Sequence, residues 1–440
     1  MEGMEARRRA LSALISHHRG GAYADAALKE VLARDELDAR DAAFATELFY
    51  RTVEMGRYID WQLAAVSSVK LKKIHPAVLE ILRLGACQIF FLNSVPQSAA
   101  VNTSVALAKE RHMGSSAGFV NALLRRICAD GPRPVTAEGA EGMAITYSHP
   151  TWLVELFISR FGEEAARAIL AADNEAPPVT VRLNPLRGTE EELSRLLASR
   201  GAELRLCPDL PLWGELISPG RVDALPEWQE GRFTVQDASG VMAVTAAAPK
   251  AGMRVLDLCA APGGKTFCAA ALMEGRGEIL SCDIHPHKVE ILRREAVRLG
   301  AGCVTAQERD AAAFDPALEA GFDLVIADVP CSGLGVIRKK PDLREKDPES
   351  FAEIEALQRK IARNAARYVR PGGTLLYSTC TLREEENEQV RAMLLSEDPG
   401  LSPVPFRVND RVASDEGEIT LRPDLHGCDG FYFAIFRKRG

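Results

Sequence analysis

Three side chains in the last third of the chain have the types and the placement for covalent chemistry on a planar ring. Cys331 stands in Asp328-Val-Pro-Cys331-Ser-Gly333, and Cys380 stands in Tyr377-Ser-Thr-Cys380-Thr. Each segment follows a short apolar run, residues 322–328 and 374–377, that reads as a buried parallel strand. Asp328, Cys331 and Cys380 are therefore expected at the carboxyl ends of strands, where open α/β sheets bind ligands. Two cysteines converging on one cleft admit a disulfide, a metal site, covalent catalysis or two buried structural thiols. The ten cysteines are scattered with no C-x-x-C pair and no Cys/His cluster, which speaks against a disulfide framework and against any metal. Covalent catalysis uses the whole set. A thiolate added to C6 of a cytosine turns C4–C5 into an enamine that can attack a methyl donor. A carboxyl group at N3 assists by protonation, and a base later removes the C5 proton. A free thiol titrates near ~8.5, so such a site must favour the thiolate.

Ligand binding has its own stretch. Val255, Leu256 and Leu258 read as a buried strand, and an apolar helix follows from Phe267 to Met273. Between them lies Cys259-Ala260-Ala261-Pro262-Gly263-Gly264-Lys265, which neither a strand nor a helix interior would choose. Glycines let a ligand approach the backbone, and the first N–H groups of a helix have no partner inside it. The phosphate loop would need Gly where Cys259 stands, and G-x-G-x-x-G is absent at this turn. Asp283 closes the next strand, at an offset suited to hydrogen-bonding a ribose diol. Asp310 lies just beyond a third strand opened by Val304.

The elements that position these residues make up the rest of the chain. Its 440 residues allow two or three domains, and a net charge of −7 confines any nucleic-acid contact to local basic patches. No run of about 18 apolar residues suggests a membrane span, and the N-terminus lacks a signal-peptide core. Together with unpaired cysteines, this predicts a cytoplasmic protein. Residues 5–130 read as helix throughout, from apolar residues at helical spacing: Leu11, Leu14; Leu48, Phe49; Val78, Ile81, Leu82; Val101, Leu107; Val120, Leu124, Ile127. Pro76 suits a helix start. Gly131-Pro-Arg-Pro134 ends the bundle. Ser148-His149-Pro150 opens a new helix, with His149 a helix-start residue rather than a base. Residues 179–206 read strand, helix, strand, with Thr189 as N-cap. From residue 236 strand and helix alternate, which implies a mostly parallel sheet with helices on both faces. The expected division is an all-α bundle over 1–131, a linker over 132–147, a small α+β subdomain over 148–235, and a Rossmann-like α/β domain over 236–440.

The N-terminal segments Asp41-Ala-Ala-Phe44, Ile81-Leu-Arg-Leu-Gly85, Val95-Pro96, Val101-Asn102 and Phe119-Val-Asn121 together resemble the NusB-like RNA-binding domain. Leu256-Asp-Leu-Cys-Ala-Ala-Pro-Gly-Gly-Lys-Thr266, Asp328-Val-Pro-Cys-Ser-Gly-Leu-Gly335, Pro341-Asp342 and Tyr377-Ser-Thr-Cys-Thr-Leu382 followed by Glu385, Glu386 and Asn387 look like the RNA 5-methylcytosine methyltransferases. With the NusB-like front, the chain resembles their RsmB (Sun) type, which acts on bacterial small-subunit ribosomal RNA. The resemblance implies S-adenosylmethionine as cofactor, with residues 259–265 at its methionine end, Asp283 on the ribose, Asp310 at the adenine and Asp328 near the methyl group and N3. It makes Cys380 the nucleophile and Cys331 the helper in adduct breakdown. Glu295 and Lys340 depart from the family's usual Asn and His. RNA contacts are expected from Arg182 and Asn184 in the small subdomain and from Arg338, Lys339, Lys340 and Arg344 in the basic loop. Arg7, Arg8, Arg9, Lys70, Lys72, Lys73, Arg125 and Arg126 are candidate phosphate contacts of the bundle. Partners are then small-subunit ribosomal RNA, with no DNA and no membrane, for a monomer. The rival readings are the same chemistry on transfer RNA or large-subunit ribosomal RNA, and a non-catalytic assembly factor.

Overall fold

The computed structural model describes residues 3–20, 23–33, 37–111 and 113–440. The helical stretch read over 5–130 includes residues 21, 22, 34–36 and 112, which lie outside the described residues. The chain forms two compact units, one of residues 1–175 with 337–346, the other of 176–336 with 347–440.

The first unit is helical: α1 (Met4–Gly20), α2 (Ala24–Leu32), α3 (Ala39–Glu54), α4 (Gly56–Val66), α5 (Pro76–Phe91), α6 (Gln97–Glu110), α7 (Gly114–Asp130), α8 (Gly139–Thr146), α9 (Thr151–Phe161) and α10 (Glu163–Ala172). The apolar residues at helical spacing share one core, in which Leu11, Leu14, Leu48, Phe49, Ile81 and Leu124 are fully buried. Gly85 permits close packing there, since a Cβ would lie 2.6 Å from Leu124 and 2.7 Å from Ser104. Pro76 is at the N-terminus of α5 as expected. The expected linker over 132–147 contains α8 instead. Two glycines weaken its helical pattern, but burial of Met143 and Ala144 offsets the low propensity. His149 is buried before α9 with Nδ1 2.7 Å from the Tyr147 carbonyl oxygen, and burial holds its pKa well below the usual imidazole value.

Two basic residues of this unit are not available to RNA. Arg7 is buried and donates to Gln88 Oε1 at 2.7 Å. Arg344, on a short 3₁₀ turn (Pro341–Glu345), is only 2% exposed. Its guanidinium donates to the carbonyls of Glu54 (2.8 Å), Ser148 (3.2 Å) and Asp173 (3.0 Å) and to Asn174 Oδ1 (2.8 Å). The expected RNA contact is thus an internal plug, because a guanidinium out of water must spend its donors on protein acceptors. Arg344→Met should strand those acceptors and cost roughly 3–5 kcal/mol, read as a lower urea midpoint for the helical unit.

The second unit begins with an antiparallel sheet of β1 (Thr180–Leu183), β2 (Glu203–Leu206), β3 (Trp213–Ile217) and β4 (Phe233–Val235), in the order β2-β3-β1-β4. α11 (Glu190–Ser199) packs Leu193 and Leu197 against Val181, Leu183 and Phe233. Its N-cap is Thr189, whose Oγ1 accepts the Glu192 N–H. α12 (Pro226–Gln229) and α13 (Ala238–Ala247) lead into the larger sheet.

That sheet contains β5 (Arg254–Asp257), β6 (Glu278–Asp283), β7 (Val304–Glu308), β8 (Phe322–Asp328) and β9 (Val369–Thr379), all parallel, in the order β9-β8-β5-β6-β7. Past a short ribbon of β11 (Phe406–Arg407) with β12 (Ala413–Ser414), the chain completes the antiparallel margin. There β14 (Phe431–Lys438) pairs with β9, and β10 (Leu401–Pro403) and β13 (Glu418–Leu421) pair with β14. Alternating residues separate two cores, as the strand period of two requires. Val255, Leu324, Ile326 and Leu376 meet α13, α14 (Gly264–Leu272) and α15 (Pro286–Leu299). Leu256, Val325, Ala327 and Leu375 meet α16 (Phe351–Tyr368) and α17 (Glu388–Glu397). Arg370-Pro-Gly-Gly373 is a bulge inside β9, between the pairs Phe322–Val369 and Leu324–Thr374. Among the described residues no helix is long and apolar enough to cross a membrane.

Candidate active site at the strand switch point

The order β8-β5-β6 places the switch of direction between β5 and β8, and the crevice of such a sheet opens beyond the carboxyl ends of these two strands. The stretch 259–265 leaves β5 at that point. Ala260 N–H donates to Cys282 O at 2.8 Å and Gly263 N–H to Ala260 O at 2.7 Å, which folds the turn onto itself. Gly263 has φ +110°, and a Cβ there would lie 2.3 Å from the Phe267 ring. Intrahelical bonding in α14 starts with Phe267 N–H to Gly263 O, so the N–H groups of Gly264, Lys265 and Thr266 head the helix. A cradle with bare backbone and a helix N-terminus fits an adenosyl amino acid carboxylate. Asp283 ends β6 and is mostly buried, its Oδ1 accepting the His285 N–H at 3.0 Å, with half-exposed Ile284 beside it. Asp310 is exposed past β7, and its Oδ1 accepts the Ala312 N–H at 2.8 Å.

Asp257 lies beneath the cradle. Its Oδ2 accepts Thr266 Oγ1 at 2.7 Å, and Thr266 Oγ1 is also 2.8 Å from Ser281 Oγ. Burial pushes its carboxyl up to about 7, Thr266 opposes this, and Asp328 adds to it. The folded protein therefore holds this proton more tightly than the unfolded chain. Its contribution favours folding at low pH, is lost as pH rises from about 4 to about 7, and is level above that. Asp257→Asn is expected to remove a pH-dependent term on the order of 4 kcal/mol, read as the difference between parent and variant unfolding free energies across that range.

At the end of β8, Asp328 accepts Ser378 Oγ on Oδ1 (2.8 Å) and pairs with Lys265 Nζ through Oδ2 (2.7 Å). Lys265 is expected in the cradle, and its ammonium reaches across to this carboxylate and over the Phe431 ring, 4.7 Å from its centroid. Cys331 Sγ and Cys380 Sγ are 3.1 Å apart, both as free thiols. One hydrogen bond joins them. The Cys331 S–H stabilises a Cys380 thiolate, which lowers the Cys380 pKa from the ordinary thiol value, with Lys265 assisting against burial and Asp328. Cys331 is raised well above that value, by its bond to Cys380 first and by burial next. The two loops are tied through backbone: Gly335 N–H donates to Cys380 O (2.9 Å), and Gly430 N–H donates to Gly335 O (2.7 Å). A Cβ on Gly335 would lie 1.9 Å from Gly430 O, so this crossing requires glycine.

The structure thus brings Cys331, Cys380, Asp328 and the 259–265 cradle to one end of the sheet. It removes two expected RNA contacts. Arg182 is 1% exposed and donates to Gln236 Oε1 at 2.7 Å. Asn184 is buried and donates to Gly231 O and Leu299 O, both at 2.8 Å. Both stabilise the interior of the second unit. Arg338 and Lys339 are half-buried and Lys340 is exposed. Among the described residues no group of three or more His, Cys, Asp or Glu is arranged to hold a metal ion. Phe431 and Gln358, which touch the site from outside the cysteine motifs, carry no local signal of their own; each looks like an ordinary strand or helix residue.

The family described as 16S rRNA methyltransferase RsmB/F matches residues 244–437, the NusB family matches 4–129, and an RsmF/B-like ferredoxin-like domain matches 149–222. The chain is 35% identical to the probable ribosomal RNA small subunit methyltransferase B of Bacillus subtilis (strain 168), covering 98% of each. It is 32% identical to the probable enzyme of the same name from Synechocystis sp., over 99% of this chain and 100% of that one. The crystal structure of PH0851 superposes with a TM-score of 0.82 at 27% identity, covering 98% of each chain.

Proposed function

The chain belongs to the RsmB/F family of 16S rRNA methyltransferases, and we propose that it methylates C5 of a cytosine in small-subunit ribosomal RNA, with S-adenosylmethionine as donor and Cys380 as covalent nucleophile. The 3.1 Å contact of Cys331 with Cys380 carries this reading. Transfer to an amine or a hydroxyl acts on an atom that already has a lone pair and has no use for two thiols. Carbon C5 lacks one until a nucleophile adds at C6.

Residues 259–265 would hold the methionine end of the cofactor, Asp283 the ribose diol and Asp310 the adenine. Bound there, S-adenosylmethionine supplies an electrophilic methyl group. Cys380 Sγ adds to C6 of the target base. Asp328, oriented by Ser378, relays a proton to N3 from the Lys265 ammonium, 2.7 Å from its Oδ2. Cys331, once its own proton has passed to the Asp328 carboxylate, is the base for the C5 proton; the C–H electron pair stays on the ring as the C5–C6 double bond, and Cys380 leaves C6 as a thiolate with the C–S pair. The base must first leave its stack, at a cost of a few kcal/mol that is least in a loop or bulge. The helical unit and the small sheet position the RNA in this reading, with Arg338, Lys339 and Lys340 as remaining basic contacts near residue 331 in sequence.

The test is methyl transfer from labelled S-adenosylmethionine to protein-free 16S ribosomal RNA, followed by nucleoside analysis. Labelled 5-methylcytidine is the expected product. Label in transfer RNA or large-subunit RNA alone overturns the substrate. Label on another base overturns the chemistry, and cofactor binding without transfer to any RNA supports an assembly factor.

A further inference from the structure

Glu386 and Asn387 are adjacent residues, fully buried, in the turn between β9 and α17. Their side chains bracket the two cysteines separately. Glu386 Oε2 accepts the Ser332 N–H (2.9 Å) and Gln358 Nε2 (2.8 Å), and the same Gln358 Nε2 donates to Pro330 O (2.9 Å). The residues on either side of Cys331 are therefore held by one carboxylate and one amide. Asn387 Oδ1 accepts Thr379 Oγ1 (2.5 Å), and its Nδ2 donates to Thr381 O (3.0 Å). The residues on either side of Cys380 are held by one amide. Arg383 Nη1 closes the remaining Glu386 oxygen at 3.2 Å, and Tyr377 Oη donates to Glu386 O at 2.7 Å. A direct bond between Ser332 Oγ and Thr381 Oγ1 (2.7 Å) spans the loops.

We infer that Glu386 and Asn387 form a clamp that sets the separation of Cys331 from Cys380, and so are positioning residues for the thiol–thiolate pair. The inference rests on Cys380 being the nucleophile. A hydrogen bond between two sulfurs weakens steeply as they part. Both cysteines stand on irregular connections outside the sheet ladder, so their positions are set by what their flanking residues bond to. Because one peptide link joins the two brackets, moving either loop strains both. The Glu386 carboxylate also stands on the Cys331 side of the pair, where its charge favours retention of the proton on Cys331.

The test uses the full chain without RNA. Iodoacetamide modification of each cysteine is followed by peptide mass spectrometry across pH, for the parent, Glu386→Gln and the uncharged Asn387→Leu. The parent should react at Cys380 with a pH midpoint below that of Cys128 and Cys303, which serve as internal references. Each variant should move the Cys380 midpoint up by about one pH unit. A tenfold smaller thiolate fraction is partly offset by the greater nucleophilicity of a more basic thiolate, which leaves the rate at neutral pH about threefold lower. A merely structural role would change the references as well, or change amplitude without moving the midpoint. S-adenosylmethionine affinity should stay unchanged, since neither residue is in the cradle. An unchanged Cys380 midpoint in both variants overturns the clamp. Should Glu386→Gln fail to fold, Asn387→Leu decides, since it removes both bonds to the residues flanking Cys380 without adding a charge. Failure of the clamp leaves the nucleophile intact, because that assignment is decided separately by methyl transfer in Cys380→Ala.

Discussion

Cys380→Ala is expected to lower single-turnover methyl transfer on the order of 10⁴-fold or more, leaving S-adenosylmethionine binding unchanged. The size of the effect follows from the substrate. C5 of cytosine is not nucleophilic in the neutral ring, so no residual pathway runs at a useful rate once addition at C6 is lost. Cys331 is a poor substitute. Its flanking residues are tied to Glu386 and Gln358, and it holds its proton where Cys380 gives one up. The fold should survive, because the bond that secures the loop is made by the Cys380 carbonyl with Gly335 N–H, not by the sulfur. Loss of one sulfur from the packed site costs about 1 kcal/mol. The measurement is rapid mixing of enzyme, RNA and labelled donor, with equilibrium dialysis of the donor in parallel. Parent-like transfer by the variant would refute the nucleophile assignment outright.

What could be read in the sequence differs by the range of the interaction concerned. The parallel strands were legible because burial on both faces demands continuous apolar runs, and the ends of β5, β6 and β8 carry Asp257, Asp283 and Asp328 just where those runs stop. The cradle was legible because small residues and glycine in that position have few other uses. The fate of basic side chains was not. Arg344 and Arg182 have the same local signature as solvated arginines, and their acceptors come from residues far away in the chain, Glu54 and Asp173 for one and Gln236 for the other. Asn184 likewise finds Leu299. Glu384, Glu385 and Glu386 read as an acidic run, which normally faces water. Only the convergence of Ser332, Gln358 and Arg383 singles out the third of them for burial. The pairing of Lys265 with Asp328 is of the same kind, since it depends on β5 and β8 being neighbours. Periodicity and turn chemistry are local, and sheet order is not.

Cys331→Ala is expected to trap the enzyme on its RNA, as a protein–RNA adduct that survives denaturant and retains the methyl label. Two effects compete. The lost S–H donor raises the Cys380 pKa and slows addition, and a hydrogen bond of this kind is worth about 1 kcal/mol, or roughly fivefold. Against this, removal of the base slows elimination by about 10²–10⁴-fold, the usual contribution of general acid–base catalysis. Breakdown is hindered far more than formation, so the adduct accumulates and multiple turnover stops after about one equivalent. The shifted band on a denaturing gel should carry both labelled RNA and labelled methyl, and it should vanish in the Cys331→Ala, Cys380→Ala double variant. Normal turnover by Cys331→Ala would exclude Cys331 as the C5 base and move that role to Asp328 at the end of β8. Failure to form adduct despite an intact fold would mean that the Cys331 proton is needed to make the Cys380 thiolate at all. In that case the thiol–thiolate bond, not the later proton removal, is the reason two cysteines stand 3.1 Å apart.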